Sequence, residues 1–141
     1  MSNIQGKFPT TRLRRNRMKE FSRRLVAENN LSTNDLILPL FICEGNNIED
    51  PIKSMPGISR YSIDKLLNKV EDAIKLSIPA VALFPQIDNN LKDAKGSLAV
   101  DENNLVCRSI KNIKKQFSEI GIICDVALDP FTDHGHDGLL I

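Results

Sequence analysis

Long apolar runs are missing from this sequence. Across 141 residues no window approaches the roughly eighteen uninterrupted apolar residues that a membrane-spanning helix needs. Cysteine is scarce and odd in number: Cys43, Cys107 and Cys124 stand far apart and form no Cys-x-x-Cys pair. No disulfide framework can be built from them, so they read as free, buried thiols in a reducing compartment, the cytoplasm by default. Residues 1–30 have no apolar core and so do not read as a secretory signal. Their Arg-rich character leaves an organelle presequence open, weakened by the acids Glu20 and Glu28. Internal repeats and low-complexity tracts are absent, and the length falls well short of the about 250 residues of a closed (β/α)8 barrel.

The composition is that of one soluble globular domain, with 41% apolar and 26% charged residues. The net charge of +1 conceals a strong asymmetry. Arg12, Arg14, Arg15, Arg17, Lys19, Arg23 and Arg24 stand against the single acid Glu20, a local net of +6 that leaves the remainder at −5. A basic arm on an acidic body is one footprint of nucleic-acid binding. Only Phe8 and Phe21 offer rings for base stacking, however, and no known nucleic-acid motif frames the arm. Docking on the acidic body of another copy is the reading we favour, with a nucleic-acid or interaction module as the non-enzyme alternative.

Beyond the arm the sequence alternates between two periodicities. Asp35–Cys43 is a short apolar run of the kind found in strands buried on both faces, although Pro39 suits an edge or a bulge. Gly45, Asn46, Asn47, Pro51, Pro56 and Gly57 then mark a turn-rich stretch. Ser62 is placed to cap a helix whose apolar positions are Ile63, Leu66, Leu67, Val70, Ala73 and Ile74, with Asp64 well set for the helix dipole. Pro79 ends it, 80–84 reads as a second strand, and 86–96 as polar loop. A second amphipathic helix carries Val106, Ile110, Ile113 and Phe117, Gly121 closes it, and 122–128 reads as a third strand. Strand, helix, strand, helix, strand is the signature of parallel βαβ units. No helix follows to cover the third strand, so the sequence reads as the first part of a longer α/β protein, cut after strand three.

Function in parallel α/β sheets gathers at the carboxyl ends of the strands. There the sequence places Asp125, Asp129, Asp133 and Asp137 together with His134 and His136, both histidines of the chain, within 13 residues. Pro130, Gly135 and Gly138 argue for a loop. So many carboxylates in so small a space repel unless they are solvated, protonated or neutralised by a cation. Alternation along the strand puts Asp125, Ala127 and Asp129 on one face, toward a barrel interior, and Cys124, Val126 and Leu128 on the other, toward covering helices. An inward Asp125 needs a cationic partner. The His134-Gly-His136-Asp137 pattern also admits a metal-dependent hydrolase of a barrel family, as the runner-up.

These segments resemble a known family. Thr11-Arg-Leu-Arg-Arg-Asn16, Phe21-Ser-Arg-Arg-Leu25, Asp35-Leu-Ile-Leu-Pro-Leu-Phe41, Ser54-Met-Pro-Gly57, Asp125-Val-Ala-Leu-Asp-Pro-Phe-Thr132 and His134-Gly-His-Asp-Gly-Leu-Leu140 are similar, in one register over about residues 8–141, to porphobilinogen synthase (aminolevulinate dehydratase). The resemblance implies a TIM barrel preceded by an N-terminal arm, here residues 1–34 with a partial (β/α)8 barrel over 35–141. It implies an arm-mediated homo-octamer, and a lyase that condenses two aminolevulinate molecules to porphobilinogen in tetrapyrrole and haem biosynthesis. Asp125 matches an active-site carboxylate near the Schiff-base chemistry.

Ala127, Asp129 and Asp137 fall where zinc-dependent members carry three metal-binding cysteines, and His136 lies in the same neighbourhood. The sequence thus resembles the cysteine-free branch, which works without catalytic zinc and with Mg²⁺ or a monovalent cation. The Schiff-base lysines, the substrate-gripping arginines and the magnesium-binding Glu of the family fall beyond Ile141. On this reading the chain alone is inactive and binds neither nucleic acid nor membrane.

Overall fold

A computed structural model describes residues 6–138, so Leu139, Leu140 and Ile141 of the terminal apolar run lie outside the described residues. The chain divides into two compact units, Met1–Ser32 and Thr33–Ile141. In the first, the basic run forms two short helices, α1 (Arg15–Met18) and α2 (Glu20–Leu25), separated by Lys19 in an extended conformation. Glu20 in the first turn of α2 and Arg23 and Arg24 in its last turn match the helix dipole. Neither helix has a buried residue: Met18, Phe21 and Leu25 are all exposed, as is Leu13 ahead of them. The Arg12 guanidinium lies 5.6 Å from the centre of the Phe8 ring.

The second unit is a five-stranded sheet carrying two helices. In chain order it holds β1 (Ile37–Ile42), β2 (Glu49–Pro51), β3 (Ser59–Tyr61), α3 (Ile63–Lys75), β4 (Ala80–Pro85), α4 (Leu105–Gln116) and β5 (Gly121–Cys124). The strands lie in the order β2-β3-β1-β4-β5. The backbone of the sheet is parallel, with β1 beside β4 from Ile37↔Ala80 to Ile42↔Pro85 and β4 beside β5 from Ala80↔Gly121 to Leu83↔Cys124. This is the βαβαβ order expected from the alternating periodicities.

Two local features differ from expectation. The turn-rich stretch contains an antiparallel hairpin, β2 with β3, that lengthens the sheet beyond β1. It contacts β1 only at Phe41 and Ile42. Over Ile37–Leu40, β1 therefore has β4 as its one neighbour among the described residues, and Pro39 sits in that edge-like stretch, where a missing N–H costs least. Gly121 does not close α4, which stops at Gln116, but opens β5. A Cβ there would lie 3.0 Å from that of Ala80 and 3.2 Å from the Pro79 carbonyl oxygen, so the strands approach over a glycine.

The core lies between the sheet and its helices. Leu40 and Ile42 of β1 and Val81 and Leu83 of β4 face Leu66, Val70 and Ala73 of α3 and Leu105 and Ile113 of α4. Each such aliphatic side chain contributes about 1.5–3 kcal/mol by leaving water. Alternation leaves the opposite face to Ile37, Phe84 and Ile123, all exposed, with the Phe41 and Phe84 rings 5.7 Å apart across β1 and β4.

Ser62 occupies the N-cap position of α3, but its hydroxyl does not cap the helix. It donates to Asp64 Oδ1 (2.7 Å) and accepts from the Ile48 N–H (2.8 Å). Asp64 in turn receives the Asn47 N–H on both oxygens (3.1 and 3.0 Å), where Asn47 adopts the left-handed conformation that asparagine tolerates. The Ser62 hydroxyl first, and then the Asn47 amide, hold the Asp64 carboxyl below its ordinary pKa. A depressed carboxyl stabilises the fold above its ordinary value and loses that contribution as pH falls through the lowered one. Asp64→Ala should therefore lower the urea midpoint at pH 7 by more than it does at about pH 3, below the ordinary carboxylate value. Urea titrations at both pH values measure this.

Candidate active-site loop at the carboxyl ends of the strands

The third parallel strand is shorter than its sequence predicts. The apolar alternation runs to Leu128, yet β5 ends at Cys124. Continuing the register would set Asp125 against Phe84 and Val126 against Pro85, whose nitrogen has no proton to donate, and the ladder stops there. Cys124 packs against the helix-side core as expected, but Val126 is fully exposed and Leu128 lies at the surface. The two-faced pattern expected over 124–129 is thus corrected: Asp125 and Asp129 are exposed loop residues, and Ala127 is half-buried between them. No strand lies beyond β5 among the described residues to bury Asp125.

Hydrogen bonds in place of a ladder fold this loop back on itself. Leu128 O accepts from the Phe131 (2.8 Å) and Thr132 (3.1 Å) amides, which turns the chain and buries both residues. Thr132 Oγ1 donates to His136 O at 2.9 Å. Asp137 Oδ1 then reaches back across the loop to accept from the Leu128 N–H (2.7 Å) and the Asp129 N–H (3.0 Å). One carboxylate oxygen closes a nine-residue excursion with two charge-assisted bonds.

A second carboxylate anchors the loop from below. Asp93 Oδ1 accepts from the Lys95 (2.8 Å) and Ser97 (3.0 Å) amides, and its backbone oxygen takes the Asp133 N–H at 3.2 Å. The Ser97 amide and hydroxyl hold its carboxyl below the usual value. By sequence, Asp93 falls within the polar loop over 86–96 and carries no evident role. The signal was present in Asp93-Ala-Lys-Gly96-Ser97, an acid whose side chain caps its own turn with a glycine at positive φ.

His134 joins the two loops. Its Nδ1 receives the His136 N–H at 3.3 Å, so its Nε2, 3.2 Å from the Ala94 carbonyl oxygen, is the nitrogen that carries the proton and donates. Both ring nitrogens are thereby engaged, and the His136 ring stacks alongside at 6.0 Å.

Between this loop and α4 lies a cleft of about 580 Å³. Leu83, Phe84, Val106, Ile110 and Phe131 give it apolar walls, and Asp125 and Asp129 stand among its lining residues. Cys107 and Cys124 also line it; burial first, and then Cys107, push the Cys124 thiol up, away from a thiolate. Cys43 is raised likewise, first by burial and then by Asp50. All three cysteines are free, but only Cys43 is buried; Cys107 and Cys124 are half-buried, a correction to the expectation of three buried thiols. The structure therefore gathers Asp125, Ala127 and Asp129 at one cleft and turns Asp137 and His134 to holding the loop.

These residues do not fit a zinc site. Ala127 has no donor atom, Asp137 Oδ1 is occupied by two backbone amides, and no group of three His, Cys, Asp or Glu among the described residues is arranged to hold a metal ion. Nor does His134-Gly-His136-Asp137 assemble a hydrolase's ligand set while both His134 nitrogens are engaged.

The delta-aminolevulinic acid dehydratase family model matches residues 10–141. The delta-aminolevulinic acid dehydratase of Bradyrhizobium diazoefficiens is 57% identical over 129 residues, covering 92% of this chain and 36% of that protein. That of Chlamydia pneumoniae is 47% identical over 130 residues, covering 92% and 39%. Among solved structures, the Toxoplasma gondii delta-aminolevulinic acid dehydratase (porphobilinogen synthase) in complex with the reaction product porphobilinogen is similar, with a TM-score of 0.84 at 39% identity over 93% of this chain and 37% of that one. The chain spans well under half the length of these relatives. With that likeness, its βαβαβ sheet is part of a TIM barrel.

If Asp137 is the clasp of the loop, Asp137→Ala should speed hydrogen exchange at the Leu128 and Asp129 amides by roughly tenfold or more. Asp137→Asn, which keeps an acceptor oxygen, should restore most of the protection. Amide exchange followed by NMR reads both.

Proposed function

Because the chain belongs to the delta-aminolevulinic acid dehydratase family, we propose that it serves the condensation of two aminolevulinate molecules to porphobilinogen, the lyase step that feeds haem and other tetrapyrroles. The observation that carries this reading is the placement of Asp125 and Asp129 at a cleft beyond the carboxyl ends of β4 and β5, where barrel enzymes do their chemistry. Asp125 acts electrostatically, keeping protons available beside an amine that must lose and regain them. The amine comes from Schiff-base lysines on polypeptide outside these 141 residues. Mg²⁺ or a monovalent cation, rather than zinc, serves the reaction, and the lack of any thiolate at Ala127, Asp129 and Asp137 supports that choice.

The arm joins copies of the protein, as a homo-octamer, through its exposed apolar side chains and its +6 charge opposite a body of −5. We place the protein in the cytoplasm, in keeping with its free thiols; among the described residues no helix is long and apolar enough to cross a membrane.

Two experiments test the reading. The chain by itself should consume no aminolevulinate, whereas a chimera with these residues in place of the matching segment of the Bradyrhizobium enzyme should form porphobilinogen. In that chimera Asp125→Ala should lower kcat about 100-fold or more. Turnover by the isolated chain, or an unchanged kcat in the variant, would refute the assignment. Separately, light scattering should show self-association that weakens as salt is raised through about 0.15 M and disappears when Arg12, Arg15 and Arg23 are changed to Glu.

A further inference from the structure

The segment between β4 and α4 is fastened at both ends and presses on the loop beside it. At its far end Asn104, which is buried, caps α4 by accepting the Cys107 N–H at 2.8 Å. The same side chain donates to the carbonyls of Leu98 (3.4 Å) and Ala99 (3.2 Å), in the short 3-10 turn Ser97–Val100. At its near end the Asp93 carboxylate closes a turn on the Lys95 and Ser97 amides. The segment so held meets the loop at Asp93, Ala94 and Gly96. The Asp93 carbonyl takes the Asp133 N–H at 3.2 Å, and the Ala94 carbonyl takes the His134 Nε2–H at 3.2 Å. Gly96, buried at φ +63°, lies flat against the loop: a Cβ there would stand 3.4 Å from Thr132 Cγ2 and 3.6 Å from Leu128 Cδ2 and Phe131 Cβ.

These contacts fall on residues 128–134, before and after Asp129, and none of them reaches Asp125. From this placement we infer that Asp93 is a positioning residue for Asp129. Asp93 is exposed and does not line the cleft, so it acts through the turn that it closes. The Asp129 N–H is tied to Asp137, the Leu128 side chain before it rests on Gly96, and Phe131 and Thr132 after it rest there too. A displaced turn therefore moves the backbone on both sides of this acid. Without the Asp93 carboxylate the Lys95 and Ser97 amides turn to water, and Gly96, which has no side chain to restrict it, is free to leave its left-handed conformation. The displacement passes through touching atoms and hydrogen bonds, from 93 to 96 and on to 128–133. Asp125, followed by the fully exposed Val126, lies outside that grip. The two acids of the cleft are thus held differently, Asp129 by the neighbouring segment and Asp125 by the end of β5. The part that Asp129 plays in turnover rests on the proposed function, whereas the mechanical coupling rests on these contacts alone.

Two measurements separate this role from a general loss of structure. In the 141-residue chain, Asp93→Ala should shift the NMR signals of the Asp129 amide and carboxyl and speed exchange at the Asp133 amide roughly tenfold, while Asp125 and the amides of β1 and β4 keep theirs. Asp93→Asn, which retains an acceptor oxygen, should return the signals to their original places. An unresponsive Asp129, or an equal response at Asp125, would overturn the assignment whether or not the chain serves the condensation. In the chimera, Asp93→Ala should lower kcat roughly tenfold, Asp129→Ala at least as far, and Asp93→Asn much less. Added to Asp129→Ala, the Asp93→Ala change should cost nothing further; added to Asp125→Ala, it should cost roughly tenfold again. A tenfold loss that persists in the absence of the Asp129 carboxylate would show a general loss of folded enzyme and sink the positioning role. A chimera inactive before any substitution counts against the proposed function alone, and the NMR result then decides the coupling by itself.

Discussion

The proline at the end of β4 governs this end of the molecule. A parallel strand can grow only while its neighbour offers an N–H and a C=O in turn, and Pro85 withdraws the donor just where β5 would continue. Residues 125–138 are thereby released from the sheet at its carboxyl edge. Their backbone amides then need other acceptors, because an unpaired amide near a packed surface is costly. Asp137 and Asp93 supply those acceptors, each taking two N–H groups on a single oxygen. The loop is ordered without being strand, and Asp125 and Asp129 are left free of structural duty.

Charge at this end divides by role. Acids that cap backbone amides are committed, and acids in the cleft are not. Of the cations nearby, Arg60 is paired with Asp50 and not with Asp125 or Asp129. The Glu44–Arg108 pair sits elsewhere, tying the loop after β1 to α4, and its Arg108 Nε also donates to Asn103 O at 2.9 Å. Structural and unspent charges are thus physically separate.

How much of this the sequence discloses depends on how local the determining physics is. The helix α3 is legible because six apolar residues at three-and-four spacing permit no other burial. The strands β1 and β4 are legible as short apolar runs between breakers. The hairpin β2–β3 is not, since Asp50, Pro51 and Arg60 carry no alternation and pair only because β1 offers an edge at Phe41 and Ile42. The third strand is shorter than its pattern for a related reason: Ile122–Leu128 alternates well, and the residue that halts it lies about forty positions away on its neighbour. At the site, the clustering of acids and histidines was plain in the sequence. Their division of labour was not, because a hydrogen bond from Leu128 to Asp137 has no signature in residue type alone.

That division bears on the chemistry. Where the resemblance places three thiolates around a metal, this chain has Ala127, Asp129 and Asp137. A metal held by three such positions would cross-link the loop, fixing the residue after the strand to the far end of the excursion. Asp137 makes the same cross-link with hydrogen bonds, from position 137 back to the amides of 128 and 129, and a carboxylate is the side chain suited to it, since it accepts twice and carries the charge that strengthens each bond. Alanine at 127 fits the same design, since the clasp asks nothing of that side chain. Loop order is therefore supplied by Asp137 itself, with no cross-link asked of the side chain at 127.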